Sequence, residues 1–334
     1  MSKETDNILT IENLKTYFQV GKVKGKTVHV RAVDGVSLSI KKGEVMGLVG
    51  ESGSGKSTLA YTVMGMYPPT EGKITFKGED ISAGSSRRPL DVKKDMQIVF
   101  QDPGSSLNPH QNIKQILELP LKVHGIVKKE EMEKRVTQIL RTVELSPAYM
   151  YKTPGSMGGG ERQMISIARA LATDPSFVIL DEPTSALDVS IQAKIINMLL
   201  RLQEKNNLTY LFITHDLSLM RNIATRVAIM YLGKICEMAS THEFFETPYH
   251  PYTKMLLSSI PVVSVEEEKL RPEKVTSTGE IPSPTNIPTG CSFHLRCPNK
   301  MDLCTYDDPV MTEVTPGHYV RCHLYNKEEA GDAV

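Results

Sequence analysis

The residues Gly50-Glu51-Ser52-Gly53-Ser54-Gly55-Lys56-Ser57-Thr58 carry the clearest chemistry in the chain. They fit G-x-x-x-x-G-K-[ST], the pattern of a phosphate-binding loop. Its glycines let the backbone curl so that successive N–H groups aim at phosphate oxygens, and the helix that follows adds its partial positive charge. Lys56 has the reach and charge for β- and γ-phosphates, and the Ser57 hydroxyl suits a Mg²⁺ ligand. Ser52, Ser54 and Thr58 complete the candidate contacts.

Two acids stand where such a loop needs them. Phe177-Val178-Ile179-Leu180 is an apolar run ending in Asp181-Glu182. It reads as a buried parallel strand delivering both carboxylates to its C-terminal end, where open α/β sheets bind ligands. Asp181 suits the Mg²⁺ shell, and Glu182 is placed to polarise an attacking water. The run from Leu208 to Thr214 ends at His215-Asp216, and Gln97-Ile98-Val99-Phe100 ends at Gln101, so three strand ends converge on one edge. Gly158, Gly159 and Gly160 open an amphipathic helix at Glu161, a second anion-binding helix N-terminus without a lysine. Ser185-Ala186-Leu187-Asp188 caps a helix running to about Lys205. Phe18 or Tyr17, ahead of a glycine-bearing basic turn, can stack on a purine or pack under a sheet.

Of five cysteines, Cys291, Cys297, Cys304 and Cys322 lie in the last segment, spaced C-x5-C-x6-C-x17-C. Structural zinc favours closer pairs. Four thiolates with a Cys297-Pro298 step suit an iron–sulfur cluster better. Zinc, free thiols and disulfides stay open, as does a ligand role for His294, His318 or His323. Cys236 reads as a small buried apolar residue.

These residues need a scaffold. Residues 8–12 and 28–40 alternate apolar and polar, as half-buried antiparallel strands do. The run from Val45 to Val49 is a buried strand, and Ser57 to Met66 a helix. Lys73 to Phe76 is a short strand, and residues 80–91 a polar loop. Residues 111–124 and 129–145 have helical periodicity and stand apart as an inserted helical subdomain. Val227–Tyr231 and Lys234–Met238 form a hairpin around Leu232-Gly233, with helices at 241–246 and 251–259. Residues 261–290 turn rich in Pro, Ser, Thr and Glu and read as a linker or strap. Lys plus Arg equals Asp plus Glu at 39 each, so nothing in the overall charge points to nucleic acid. No apolar run approaches the ~18 residues of a membrane span, and the polar start carries no signal peptide.

Together the motifs resemble the ATPase subunits of ABC transporters: a phosphate loop at 50–58, a Q-loop at Gln101, a signature at 157–161, Asp181-Glu182, a D-loop at 185–188 and a switch histidine at His215. A narrower resemblance, to dipeptide/oligopeptide importer ATPases including nickel importers, rests on residues 101–109, on His250-Pro251-Tyr252-Thr253-Lys254, and on the tail from Gly290 to Pro298. It implies an α/β fold: a RecA-like core with an antiparallel β subdomain, a helical subdomain at about 103–162, and a small Cys-rich extension. The cassette is expected at 1–260 and the extension at 261–334.

The same resemblance implies ATP and Mg²⁺ bound through Phe18, with Tyr17 the alternative, the loop residues, Gln101 and Asp181, with Ser57, Gln101 and Asp181 at the metal. It implies Glu182, His215 and Gln101 as catalytic residues and Gly158, Gly159, Gly160 and Asp188 contributing across a dimer. A [4Fe–4S] cluster on the four tail cysteines is implied as well. Expected partners are a second ATPase subunit, two integral membrane permeases and an extracytoplasmic binding protein, with no nucleic acid. The expected location is the cytoplasmic face of the membrane, peripheral to it, and a nickel importer or a non-transport ABC ATPase is the alternative. One departure stands out. The signature usually reads Leu-Ser-Gly-Gly-Gln, but here it is Met157-Gly158-Gly159-Gly160-Glu161, with no hydroxyl at 158. A missing hydroxyl on one side favours a heterodimer with an intact partner signature.

Overall fold

The structure, a computed structural model, describes residues 6–23, 26–260 and 279–326. The expected linker at 261–290 falls largely on 261–278, outside the described residues.

The alternating N-terminal segments pair as β1 (Asn7–Val23) and β2 (Lys26–Lys41), antiparallel throughout. Leu9, Ile11 and Leu14 of β1 and Val36, Leu38 and Ile40 of β2 are buried. β3 (Val45–Val49) leads through the phosphate loop into α1 (Lys56–Val63). β4 (Glu71–Phe76) and β5 (Glu79–Asp80) then complete a four-stranded sheet in the order β2-β1-β4-β5. Of the glycine-bearing turn expected after Phe18, residues 19–23 are strand, β1 absorbing Gly21 through a register shift between Gln19 and Gly21, and residues 24 and 25 lie outside the described residues. Such an irregularity bends a strand without ending it.

The chain next forms α2 (Leu90–Asp95) and β6 (Met96–Val99), and then a helical layer. That layer holds α3 (Pro103–Ser106), α4 (Ile113–Val123), α5 (Met132–Thr142) and α6 (Gly159–Leu171). In α4, Ile113, Ile116, Leu117 and Leu121 make one buried stripe, and in α5 Met132, Val136, Ile139 and Leu140 make another. Asn112 starts α4 with a reciprocal capping box to Gln115.

The remaining elements are β7 (Phe177–Asp181), α7 (Val189–Asn206), β8 (Thr209–Thr214), α8 (Leu217–Ile223), β9 (Arg226–Tyr231), β10 (Lys234–Ser240), α9 (Thr241–Glu246) and α10 (Pro251–Ser258). Two further strands, β11 (Met311–Thr315) and β12 (His318–Arg321), come from the cysteine-bearing segment. The main sheet has the order β11-β12-β10-β9-β3-β8-β7-β6. β9, β3, β8, β7 and β6 run parallel to one another, which suits their nearly continuous apolar sequences. β10 returns antiparallel to β9, and β12 pairs antiparallel with β10.

The cysteine-bearing tail also adds to the main sheet. Its hairpin widens the central sheet, and Phe293 and Val320 are buried with the core. Buried Glu237 of β10 ties it down. Its carboxylate accepts from the Tyr249 and His250 N–H groups at 2.7 and 2.9 Å and lies 2.7 Å from His318 Nε2. Among the described residues, no helix is long and apolar enough to cross a membrane.

Candidate active site

β3 lies between β8 and β9, so the loop after it emerges at the sheet's carboxyl edge. Gly55 precedes α1 with φ +106°, and an added Cβ would fall 2.0 Å from the Ala32 carbonyl oxygen. No other residue fits that turn. Lys56 is buried, and its ammonium donates to the carbonyls of Gly50 at 2.7 Å and Glu51 at 3.0 Å. Burial lowers its pKa, while Glu182 and Asp181 oppose that shift. A cation thus sits in the loop on weak neutral acceptors, which phosphate oxygens can replace.

β7 is separated from β3 by β8, yet its end reaches α1. Ser57 Oγ donates to Asp181 Oδ1 at 3.0 Å. Asp181 is fully buried, burial pushes its carboxyl above the usual range, and its Oδ2 has no hydrogen-bond partner. A buried carboxylate with one open oxygen beside a hydroxyl is a donor set that fits a hard divalent cation such as Mg²⁺.

Glu182 leaves the strand with φ +45°, an uncommon backbone for a non-glycine residue. Its Oε2 accepts from Gln101 Nε2 at 3.0 Å and lies 3.2 Å from His215 Nδ1. The ends of β6, β7 and β8 thus bring Gln101, Glu182 and His215 into contact. Thr58 lies in α1, where its carbonyl accepts from Thr62 Oγ1. Tyr17 bonds Asp34 through its hydroxyl, and Phe18 packs edge-on against Tyr67, centroids 5.1 Å apart.

The glycine-opened helix forms as expected. Gly158 caps α6 with its N–H bonded to Glu161 Oε2 at 3.0 Å, and Glu161 also accepts from the Tyr149 hydroxyl. Gly160 lets α6 approach α7, since a Cβ there would fall 2.5 Å from Ile191 Cγ2. Gly159 lines a cleft with Gln101, Glu182, Arg162 and Leu187. Asp188 turns to its own helix, accepting from Ile191 N–H at 3.0 Å and Ser190 Oγ at 2.6 Å.

Two residues that the sequence reading quoted only within family-like stretches, with no role at the site, touch the phosphate loop. Tyr252 and Arg296 both bind Glu51, 201 and 245 positions away, and at such separations no local pattern signals the contact.

In the tail, Cys291, Cys297, Cys304 and Cys322 share one neighbourhood, and Cys291 N–H donates to the Cys304 carbonyl at 3.0 Å. Burial pushes the Cys291 thiol up to about 11 and the Cys322 thiol up to about 12. Cys236 shares a small cavity with Cys291, a proximity absent from the sequence reading. Four thiols suit a cluster in kind, but among the described residues no three Cys, His, Asp or Glu side chains are gathered to hold a metal ion. The three histidines considered as ligands have other partners. His294 Nδ1 is 2.8 Å from the Cys291 carbonyl oxygen, His323 Nε2 is 3.0 Å from that of Asp307, and His318 faces Glu237.

Residues 33–185 match the ABC transporter family, and residues 236–304 match the oligopeptide/dipeptide transporter C-terminal region. The oligopeptide transport ATP-binding protein AppF of Bacillus subtilis (strain 168) is 47% identical over 324 residues, covering 96% of this chain and 98% of that protein. The putative oligopeptide transport ATP-binding protein YkfD of the same organism is 43% identical over 328 residues, 98% of each chain. Among solved structures, a post-hydrolysis dimer of the ATP-binding cassette MJ0796 bound to ADP and Pi superposes with TM-score 0.63 at 29% identity, covering 70% of this chain and 98% of that one. The cbiO1 subunit of Clostridium perfringens gives TM-score 0.62 at 27% identity, covering 73% and 92%.

Proposed function

This chain belongs to the ABC transporter ATP-binding family, and from that premise we propose that it hydrolyses ATP to drive uptake of dipeptides or oligopeptides. The single observation that carries the peptide reading is the C-terminal region, because the cassette core serves importers and exporters alike.

In this reading the cassette occupies 1–260, with a helical subdomain at about 103–162, and the extension follows from 261. Lys56 exchanges the Gly50 and Glu51 carbonyls for phosphate oxygens. Ser57 and Asp181 would hold Mg²⁺, with Gln101 beside them, and the ion when bound neutralises phosphate charge. Glu182 orients the attacking water and takes its proton. Gln101 and His215 fix the Glu182 carboxylate on the γ-phosphate side, and Phe18 offers the ring for adenine. Tyr17, its hydroxyl committed to Asp34, is the weaker candidate.

A second ATPase subunit supplies a signature helix to this site, while Gly158, Gly159 and Gly160 serve the partner's site, with Asp188 ordering the D-loop through its helix cap. The missing hydroxyl at Gly158 favours a heterodimer. Two permeases dock on the helical layer, where Leu119, Val123 and Tyr151 are exposed, and an extracytoplasmic binding protein delivers the peptide. The chain then works at the cytoplasmic face, peripheral to the membrane. The four tail cysteines would hold a [4Fe–4S] cluster after closing up around it.

Proteoliposomes containing this chain and its co-purified membrane subunits test the reading. A labelled peptide should accumulate only with ATP on the side of this chain. ATP hydrolysis with no accumulation of any peptide from two to about ten residues would overturn the importer assignment.

A further inference from the structure

Glu51, the first variable residue of the phosphate loop, is held through every polar group it has. Arg296 grips its carboxylate with two bonds, Nη1 to Oε2 at 2.8 Å and Nη2 to Oε1 at 3.2 Å. The Glu51 N–H donates to the Tyr252 hydroxyl at 3.2 Å, and that hydroxyl donates to Oε2 at 3.2 Å. The Glu51 carbonyl accepts from Lys56 Nζ at 3.0 Å and from Ser54 N–H at 3.2 Å.

Arg296 is itself firmly seated. Its side chain is 9% exposed, and its guanidinium carbon lies 5.8 Å from the centroids of both the Tyr231 and Phe293 rings. Those rings and Tyr252 form one cluster, with Tyr231–Tyr252 centroids 4.6 Å apart and Tyr252–Phe293 centroids 5.2 Å apart. A turn orders the backbone before it, with His294 N–H bonded to the Cys291 carbonyl and Arg296 N–H to that of Phe293.

A carboxylate in a loop built to receive a polyphosphate is an electrostatic problem. Left unpaired, it repels the ligand and competes for Lys56. A rigid two-pronged partner cancels the charge and aims it away from the loop. A loop fixed before binding also loses less freedom when the ligand arrives.

We propose that Arg296 is a positioning residue for nucleotide binding: by neutralising and pinning Glu51, it makes the affinity of the phosphate loop depend directly on the docked C-terminal segment. This deepens the ATP-site assignment and rests on it.

The test uses the full chain, Mg²⁺ and a non-hydrolysable ATP analogue. Arg296→Ala should weaken binding about tenfold, and Arg296→Lys, which keeps charge but loses the fork, about threefold. The KM for ATP should rise in parallel while kcat at saturating ATP stays within about twofold. The sign of the double mutant separates this role from a merely structural one. Glu51→Gln added to Arg296→Ala removes the unpaired charge and should restore affinity to within about threefold of the parent. Unchanged binding in Arg296→Ala, or a double mutant no tighter than Arg296→Ala, would overturn the proposal. If Arg296→Ala does not fold, Arg296→Gln, which fills more of the site but likewise leaves Glu51 unpaired, carries the same comparison: it must weaken binding and be rescued by Glu51→Gln. Lys56→Ala keeps the two readings apart. Normal binding in that variant removes the nucleotide site itself, whereas normal binding in Arg296→Ala alone removes only the role of Arg296.

Discussion

Glu182 and His215, which close two neighbouring strands, lie 3.2 Å apart, Oε2 to Nδ1. The carboxylate side chain is 14% exposed and the imidazole 57%, so the acid is fixed and the histidine has room to swing toward a ligand. Gln101 Nε2 donates to the same Glu182 oxygen at 3.0 Å. Glu182→Gln keeps an acceptor oxygen and would lose the proposed base. ATP binding should survive while turnover falls about a thousandfold, which corresponds to roughly 4 kcal/mol of transition-state stabilisation. Single-turnover hydrolysis and ATP-driven dimer accumulation check this. Near-normal hydrolysis, in a complex where this is the competent site, would remove Glu182 from the role of base.

Burial pushes the Cys291, Cys297 and Cys322 thiols up, against the thiolate form that a metal centre needs. A cluster would release their protons and draw the sulfurs together. Anaerobically purified protein should be brown, with about four iron atoms per chain, and Cys297→Ser should bleach it. Colourless protein with stoichiometric zinc points to a zinc site instead. A lower melting temperature with intact ATP hydrolysis in Cys297→Ser marks a structural cluster, and redox-dependent hydrolysis marks a sensing one.

His250 gives the fold an acid limit. It is 2% exposed, its Nδ1 accepts from Tyr252 N–H at 3.0 Å, and burial lowers its pKa to about 4 against the pull of Glu237. The unfolded chain takes up that proton near pH 6.5. Stability is therefore complete above about pH 6.5, declines as the pH falls, and has lost this contribution, on the order of 3 kcal/mol, below about pH 4. His250→Asn keeps a helix-capping acceptor without the titration. Its urea midpoint should change less between pH 7.5 and pH 5 than that of the parent. Equal changes in the two proteins would place the acid sensitivity elsewhere.

The chemistry was legible where it is local. β3, β7 and β8 announce themselves as largely apolar runs; β7 and β8 end in polar residues and β3 runs into the phosphate loop, all at one edge of the parallel sheet. The pairing of Ser57 with Asp181 follows once those strands are adjacent or one apart. β1 misled because Gly21 interrupts its alternation while the ladder continues through a bulge. The β11–β12 hairpin carried a signal, Pro316-Gly317 between alternating residues, but the cysteines drew the reading toward a metal module. The resemblance put Phe18 ahead of Tyr17 as the ring for adenine, and the fold commits the Tyr17 hydroxyl to Asp34. Glu51 with Arg296, and Glu237 with His318, join residues 245 and 81 positions apart, and such contacts exist only after the whole sheet has formed.

Gly158 bears on how two such chains combine. It starts α6 with φ −68° and ψ 164°, a backbone open to any residue, and an added Cβ would meet only Glu161 Oε2, at 3.9 Å. Nothing in the fold therefore requires glycine there, and Gly158→Ser should fold without strain. A serine hydroxyl bonded to a charged phosphate is worth about 1.5–3 kcal/mol, or roughly ten- to a hundredfold in affinity. A homodimer would lack it in both sites and hydrolyse slowly, whereas a heterodimer with a serine in the partner signature keeps one full site around Lys56 and Glu182. Restoring the serine should strengthen ATP-driven dimerisation of the isolated subunit at least about tenfold, measured by sedimentation with a non-hydrolysable analogue. A heterodimeric complex, whose competent site would use the partner's signature, should change little in turnover. If dimerisation of the isolated subunit is also unchanged, the N–H groups of Gly158, Gly159 and Gly160 suffice for the phosphate, and the case for a heterodimer from this position fails.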